Sequence, residues 1–111
     1  MLAAQTAGIE AIGAGTRCAA VDGAARKVID EAGYGATFGH GLGHGVGLDI
    51  HEAPRFHKTS DDTLVDGDVM TVEPGIYVTG SGGIRIEDDV LVTTGGAEVL
   101  GKAPKDTLIE V

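Results

Sequence analysis

The sequence predicts an α+β fold in which two helices are followed by an antiparallel β-meander. Two observations support this: a helical apolar periodicity in the first third of the chain, and short β-branched runs between glycine turns in the rest. The 111 residues amount to a single domain, 1–111, and a hydrophobic content of 42% suffices for a core. With only 4% aromatic residues, that core must consist mainly of Ala, Val, Ile and Leu.

The first two elements are predicted to be helical. An alanine-rich run over residues 2–12 stops at Gly13 and is typical of the end of a helix. The next run repeats apolar residues at the spacing of one helix face: Val21, Ala24, Ala25, Val28, Ile29 and Ala32. This pattern predicts an amphipathic helix of about three turns, with Gly33 as its left-handed C-terminal cap.

A glycine-rich segment follows the second helix. Every second residue from Gly39 to Gly47 is glycine, and each would destabilise a helix by roughly 1 kcal/mol relative to alanine. We therefore expect this segment to be extended or looped, with its backbone close to another part of the molecule.

The remaining chain reads as strands separated by turns. Residues 69–78 are apolar and β-branched but are interrupted by Pro74-Gly75, which predicts a strand with a bend. A glycine-rich turn at 80–83 leads to a second strand region at 83–94, and a further turn leads to a short strand at 98–100.

Charge and cysteine content exclude several functional classes. The chain has 8 Lys and Arg against 17 Asp and Glu, a net charge of −9, so nucleic acid and anionic membranes are poor partners. No stretch is apolar and long enough to span a membrane, and the N-terminal residues lack the basic region of a signal peptide. The one cysteine, Cys18, excludes an internal disulfide framework and a thiolate zinc site. We expect a cytoplasmic protein.

Histidines and glutamates are the candidates for chemistry. Three of the four histidines lie within twelve residues: His40, His44 and His51. Glu73 and Glu87 stand in apolar strand contexts, where a carboxylate is costly to bury unless it is paired or binds a metal.

Each of these residues also has a plain structural interpretation when taken alone. Glu73 could be an outward-facing strand residue, and Glu87 could belong to a solvated acidic run with Asp88 and Asp89. His44 alone is more often structural than a ligand. Together, one imidazole and two carboxylates on separate extended segments form a ligand set that suits Mn, Co or Zn.

Several familiar motifs are absent. The alternating glycines exclude G-x-G-x-x-G, and Ala103 stands where a phosphate loop beginning at Gly96 needs Ser or Thr. His51-Glu52 is followed by Ala53-Pro54-Arg55, so the helical H-E-x-x-H zinc motif does not occur, and neither does G-x-S-x-G.

Three longer motifs resemble those of a known family. They are HGLGHGVGLDIHE at 40–52, TVEPGIY at 71–77 and GIRIEDD at 83–89. In this order they resemble the motifs of the pita-bread metallopeptidases, in the branch of prolidases and Xaa-Pro aminopeptidases. The forms of the second and third motifs favour that branch over the methionine aminopeptidases. The resemblance implies a partial pita-bread (creatinase/aminopeptidase) fold.

The resemblance also implies roles for individual residues. It implies that His44, Glu73 and Glu87 are metal ligands. Of these, Glu87 would bridge the two ions of a dinuclear site. It implies that His51 contacts substrate and stabilises the tetrahedral intermediate. It further implies a second substrate-side histidine and two supporting active-site groups: His40, Arg85 and Tyr77.

One departure from the family pattern limits what we expect of this chain. The family uses two further Asp ligands on an upstream β-hairpin, whereas the only aspartates before the first motif here are Asp22 and Asp30, on the predicted helix. The resemblance therefore implies the C-terminal half of a catalytic domain. We expect the isolated chain to be almost inactive and to self-associate through surfaces that the missing N-terminal half would cover.

Three functions remain open from the sequence. The first is a parent enzyme that cleaves the peptide bond preceding proline with a water activated by two metal ions, Mn in preference to Co or Zn. Its substrate would be a peptide with proline at the second position. The second is a non-catalytic peptide-binding or scaffold relative, and the third is a small metal-storage or sensor module. The joint presence of His44, Glu73 and Glu87 favours the enzyme.

Overall fold

The computed structural model describes all residues, Met1–Val111, and shows two helices followed by antiparallel strands, as predicted. The helices are α1 (Leu2–Glu10) and α2 (Cys18–Glu31), with a single 3₁₀ turn at Gly35–Thr37. The strands are β1 (Gly43–Gly45), β2 (Glu52–Phe56), β3 (Val69–Val72), β4 (Gly75–Val78), β5 (Gly82–Arg85), β6 (Asp88–Thr93) and β7 (Gly96–Val99). Neither helix has the length and apolar character needed to cross a membrane.

Helix α2 begins earlier than its apolar periodicity indicates and ends where predicted. The backbone N–H of Cys18 donates to the carbonyl oxygen of Asp62 at 2.9 Å, which satisfies one of the free donors of the first turn without a side-chain cap. At the other end Gly33 adopts a φ of 89°, and Tyr34 N–H donates to the Ile29 carbonyl at 3.0 Å. This is the left-handed termination expected from the glycine.

The strands form two sheets. Five of them make an antiparallel sheet in the order β2-β1-β3-β6-β7, and β4 and β5 form a separate hairpin. The predicted bend at Pro74 separates the two, because proline has no N–H to continue the ladder after β3. The predicted second strand region, 83–94, is consequently divided between β5, which pairs with β4, and β6, which pairs with β3 and β7.

Strand β2 was not predicted. It contains Pro54, which argues against a strand in a sequence, but β2 lies at the edge of the sheet, where a missing donor is tolerated. Its pairing with β1 gives the glycine-rich segment an extended conformation at Gly43–Gly45, and His44 lies opposite Arg55. This pairing folds the end of the histidine-containing motif back onto its centre, with Glu52 opposite Gly45.

Both helices pack on one face of the five-stranded sheet around a continuous apolar core. The core consists mainly of Ala, Val, Ile and Leu, as predicted, with Phe38, Phe56 and Met70 added. Cys18 is buried in it as a free thiol. Burial first, and then the charges of Asp62 and Asp68, raise the pKa of the Cys18 thiol to about 11, so it stays protonated and unreactive at neutral pH.

Candidate active site

Glu73 and Glu87 face each other where the main sheet ends. The last pair in the β3–β6 register is Val72 with Asp88, so the next residue on each strand is one of the two glutamates. Burial is the largest cause of a raised pKa at Glu87, followed by the charge of Glu73 and a hydrogen bond with it. Arg85 acts in the opposite direction and lowers that pKa. Because residues opposite each other on antiparallel strands share a face of the sheet, the register places the two side chains next to each other.

His44 is held in one ring orientation with one nitrogen available. Its backbone N–H donates to Thr71 Oγ1 at 3.0 Å, and its Nδ1 lies 2.9 Å from the Gly45 carbonyl oxygen. Because a carbonyl only accepts, Nδ1 must carry the hydrogen, and the neutral ring then has a lone pair on Nε2. That Nε2 lies 3.4 Å from Glu73 Oε2, and both side chains are only 16% exposed.

This contact fits a divalent cation. Two acceptor atoms facing each other at 3.4 Å are stabilised only by a proton or a cation between them. Ligand atoms in a tetrahedral zinc site, at about 2.0–2.2 Å from the ion, lie roughly 3.4 Å apart. The hydrogen bond from Nδ1 to a backbone carbonyl is the usual support of a metal-ligating imidazole.

The chain alone does not close a complete ligand set. His44 approaches Glu73, and Glu73 approaches Glu87, but no group of three or more His, Cys, Asp or Glu side chains is placed to hold an ion. The structure thus brings the three sequence-predicted ligands to one place as two adjoining pairs.

Hydrogen bonds join the second predicted substrate-side histidine to the two predicted supporting groups. His40 Nδ1 donates to the Gly41 carbonyl at 2.7 Å, which leaves Nε2 to accept from the Tyr77 hydroxyl at 3.2 Å. Arg85 Nη1 in turn donates to the same hydroxyl at 3.4 Å, and this hydrogen bond is the main cause that raises the pKa of Arg85. The β4–β5 hairpin positions both Tyr77 and Arg85, and Tyr77 contacts His40 at the start of the glycine-rich segment.

His51 completes the histidine group. It lies exposed in the loop between β1 and β2, and its ring meets the His44 ring edge-on with 4.5 Å between centroids. An open cleft of about 690 Å³ has these histidines in its wall together with Glu73 and Arg85. Tyr77 and Glu87 do not line this cleft.

A pair of charged residues on α2, Asp22 and Arg26, holds the segment before β1 and was not predicted from the sequence. Asp22 is fully buried; its Oδ1 accepts from the Leu42 N–H at 3.0 Å, and its Oδ2 accepts from Arg26 Nε at 2.8 Å. Arg26 also donates to the carbonyl oxygens of Phe38 and His40, at 3.1 and 3.0 Å. The segment that leads into β1 is therefore held by the helix. The available signal was the position of Asp22 on the apolar face, three residues before Ala25.

The outer wall of the cleft was also not predicted. It includes Arg55 and the fourth histidine, His57. Arg55 lies directly opposite His44 in the β1–β2 pair, so the two side chains share one face of the sheet. Because β2 was not predicted, this position of Arg55 could not be inferred from the sequence.

Comparisons with known proteins identify the family of the chain. The model of metallopeptidase family M24 matches residues 1–94. The chain belongs to metallopeptidase family M24. Among curated relatives of this M24 chain, the Xaa-Pro dipeptidase of Pyrococcus furiosus is 47% identical over 108 residues, and that of Pyrococcus horikoshii is 43% identical over 108 residues. Each alignment covers 97% of this chain and 31% of the relative.

Solved structures show the same relationship. The Xaa-Pro dipeptidase from Bacillus anthracis superposes with a TM-score of 0.94 at 50% identity, covering 98% of this chain and 31% of that one. An X-Pro aminopeptidase from Thermotoga maritima gives 0.89 at 46% identity, covering 93% and 29%. The predicted partial pita-bread fold is thereby confirmed for this M24 chain, which spans about 30% of the length of the curated relatives it matches.

Proposed function

We propose that the chain is part of the catalytic domain of a metal-dependent Xaa-Pro peptidase that hydrolyses the peptide bond preceding proline. The observation that carries the proposal is the 3.4 Å approach of His44 Nε2 to Glu73 Oε2, with Glu87 opposite Glu73 at the end of the sheet. A peptide with proline at the second position is the proposed substrate, and the names of the relatives support it.

His44, Glu73 and Glu87 are the proposed metal ligands. The chemistry that two divalent ions supply in such a site is a bound water of lowered pKa and a polarised scissile carbonyl. The donor set contains nitrogen and carboxylate oxygen but no thiolate, which supports manganese, with cobalt or zinc as alternatives.

The other residues of the site are proposed to act on the substrate. His51 is exposed beside His44 and can donate to an oxygen that becomes negative during the reaction. His40 also lines the cleft and accepts a hydrogen bond from the Tyr77 hydroxyl, to which Arg85 donates from the hairpin. These hydrogen bonds hold the His40 ring in one orientation at the wall of the cleft, where it is proposed to contact the substrate.

The remaining ligands are proposed to come from an N-terminal half of the same domain. No three-membered ligand group exists in the chain, and the relatives are about three times as long as their matched segments. Residues 1–111 would then be one portion of a larger catalytic domain. The isolated chain is proposed to be inactive for this reason.

The deciding experiment uses the protein expressed together with the coding region upstream of this segment. With Mn²⁺ it should hydrolyse Gly-Pro in preference to Gly-Ala. Glu73→Gln should lower the Gly-Pro rate at least about 100-fold, since loss of an outer-shell partner alone costs 10–100-fold at metal sites. Glu98→Gln, at an exposed position on β7, is the matched control and should leave the rate unchanged. Equal rates for both variants, or no preference for Gly-Pro, would contradict the proposal.

A non-catalytic peptide-binding relative is the second candidate. The open polar cleft without a closed ligand group is the observation that favours it. In the same experiment, binding of Gly-Pro without any hydrolysis would support this second function over the first.

Self-association of the isolated chain is a further proposal. All four residues of β5 are exposed, including Ile84 at 51%, and the strand is an unpaired edge of the β4–β5 hairpin. We expect sedimentation to show association between micromolar and millimolar concentrations, weakened by Ile84→Lys but not by Thr94→Lys at another exposed position. A monomer over the whole range would contradict this.

The proposed compartment is the cytoplasm. The buried free thiol of Cys18 is compatible with a reducing compartment. The net charge of −9 supports the proposal that neither nucleic acid nor an anionic membrane is a partner.

A further inference from the structure

A buried polar cluster lies behind the two opposed glutamates. It joins Gln5 of α1, Asp88 of β6 and Lys105 of the C-terminal segment, and Gln5 is fully buried while Asp88 is 7% exposed. Gln5 Nε2 donates to Asp88 Oδ2 at 3.0 Å and to the Val72 carbonyl at 3.3 Å. Lys105 Nζ donates to Gln5 Oε1 at 2.8 Å and forms an ion pair with Asp88.

The cluster touches the chain neighbours of both glutamates. Val72 precedes Glu73 and Asp88 follows Glu87, and these two neighbours form the last pair of the β3–β6 ladder. Because successive side chains of a strand point to opposite faces, Asp88 points away from Glu87 and toward α1. One buried side chain, Gln5, therefore ties the two strand ends together on the face opposite the site.

The burial of the Asp88 carboxylate is favourable only because Lys105 neutralises its charge. It is the only cation within 4 Å of the Asp88 carboxylate. Removing one partner of a buried ion pair leaves an uncompensated charge, which is strongly destabilising. The strand end that carries Asp88 would have to move toward solvent, and Glu87 would move with it. Replacement of both partners by neutral groups lacks this cost.

We propose that Gln5, Asp88 and Lys105 are positioning residues that keep Glu73 and Glu87 opposed. The proposal rests on the proposed function, in which these glutamates are metal ligands. It gives the C-terminal segment a role in the site although that segment contributes no residue to the cleft.

The test compares Lys105→Met, Lys105→Arg and, as matched control, Lys102→Met at an exposed lysine of the same segment. The first readout is the ¹³C NMR signals of the Glu73 and Glu87 carboxyl groups in the 111-residue chain without metal. The second is the Mn²⁺ concentration that broadens those signals. We expect Lys105→Met to shift both carboxyl signals and to raise the Mn²⁺ concentration needed for broadening about tenfold. This is the lower end of the range for loss of an outer-shell partner at a metal site. Lys105→Arg should restore both readouts, and Lys102→Met should change neither.

Two further variants keep the test decisive if Lys105→Met does not fold. Gln5→Met removes the bridge and should shift both carboxyl signals, whereas Asp88→Asn/Lys105→Met removes both charges together, leaves no uncompensated charge and should keep both signals near those of the unsubstituted chain. Unchanged signals in folded Lys105→Met or Gln5→Met, even with lowered thermal stability, would show a purely structural cluster and overturn the proposal. Absence of Mn²⁺ broadening in the unsubstituted chain would instead count against the metal ligands of the proposed function, while the metal-free carboxyl signals would still decide the positioning role.

Discussion

Purified alone and supplied with Mn²⁺, the 111-residue chain is expected to hydrolyse Gly-Pro at least about 100-fold more slowly than the full-length Xaa-Pro dipeptidase of Pyrococcus furiosus. The reason is the ligand count. His44 and Glu73 adjoin and Glu73 and Glu87 adjoin, but no three such groups are placed to hold one ion. A water activated between two ions needs more ligands than these. A coupled assay for free proline, with both proteins at equal concentration, measures the difference.

A circular dichroism spectrum must first show that the chain is folded, so that low activity is not a consequence of unfolding. The Glu73→Gln chain is the blank for contaminating peptidases. Gly-Pro turnover close to that of the relative, and abolished by Glu73→Gln, would mean that the chain is catalytically complete and would refute the expectation.

Gly43→Ala is expected to destabilise the chain by at least about 2 kcal/mol, the cost of overpacking a site that cannot relax. A Cβ added at Gly43 would overlap the carbonyl of Thr71 on the neighbouring strand, and backbone atoms cannot move aside without breaking the β1–β3 contact. His44 would be displaced with its strand. Urea unfolding followed by circular dichroism measures the change.

Gly39→Ala is the matched control within the same segment. A Cβ added there meets no atom within 4 Å, and Gly39 does not adopt a positive φ. We expect its midpoint in urea to match that of the unsubstituted chain or to exceed it slightly. Similar midpoints for both variants would show that the glycine-rich segment is not held closely against β3.

The features predicted best were those that depend on local sequence. The apolar spacing from Val21 to Ala32 is a property of one helix, and Gly33 ends that helix through its own backbone conformation. The bend at Pro74 likewise follows from a missing donor. These features need no knowledge of distant residues.

The features that were missed depend on contacts between distant parts of the chain. Strand β2 exists because β1 offers it a partner, and its edge position tolerates Pro54. The sequence shows only that Asp22 belongs to a helix. Its role depends on the Leu42 N–H, twenty positions later, which donates to its carboxylate. The separation of β5 from β6 required knowing that β4 leaves the main sheet. For the site, the motifs indicated the residues, whereas the β3–β6 register explains why two of them meet.

The hydrogen bonds from Arg26 to the carbonyl oxygens of Phe38 and His40 have a consequence for protein engineering. The planar guanidinium makes directed bonds that a lysine ammonium would not reproduce. A designer who transplants the histidine-bearing motif into a new scaffold would therefore have to graft helix α2 along with it, because the shape of the loop is encoded more than a dozen residues before the first imidazole.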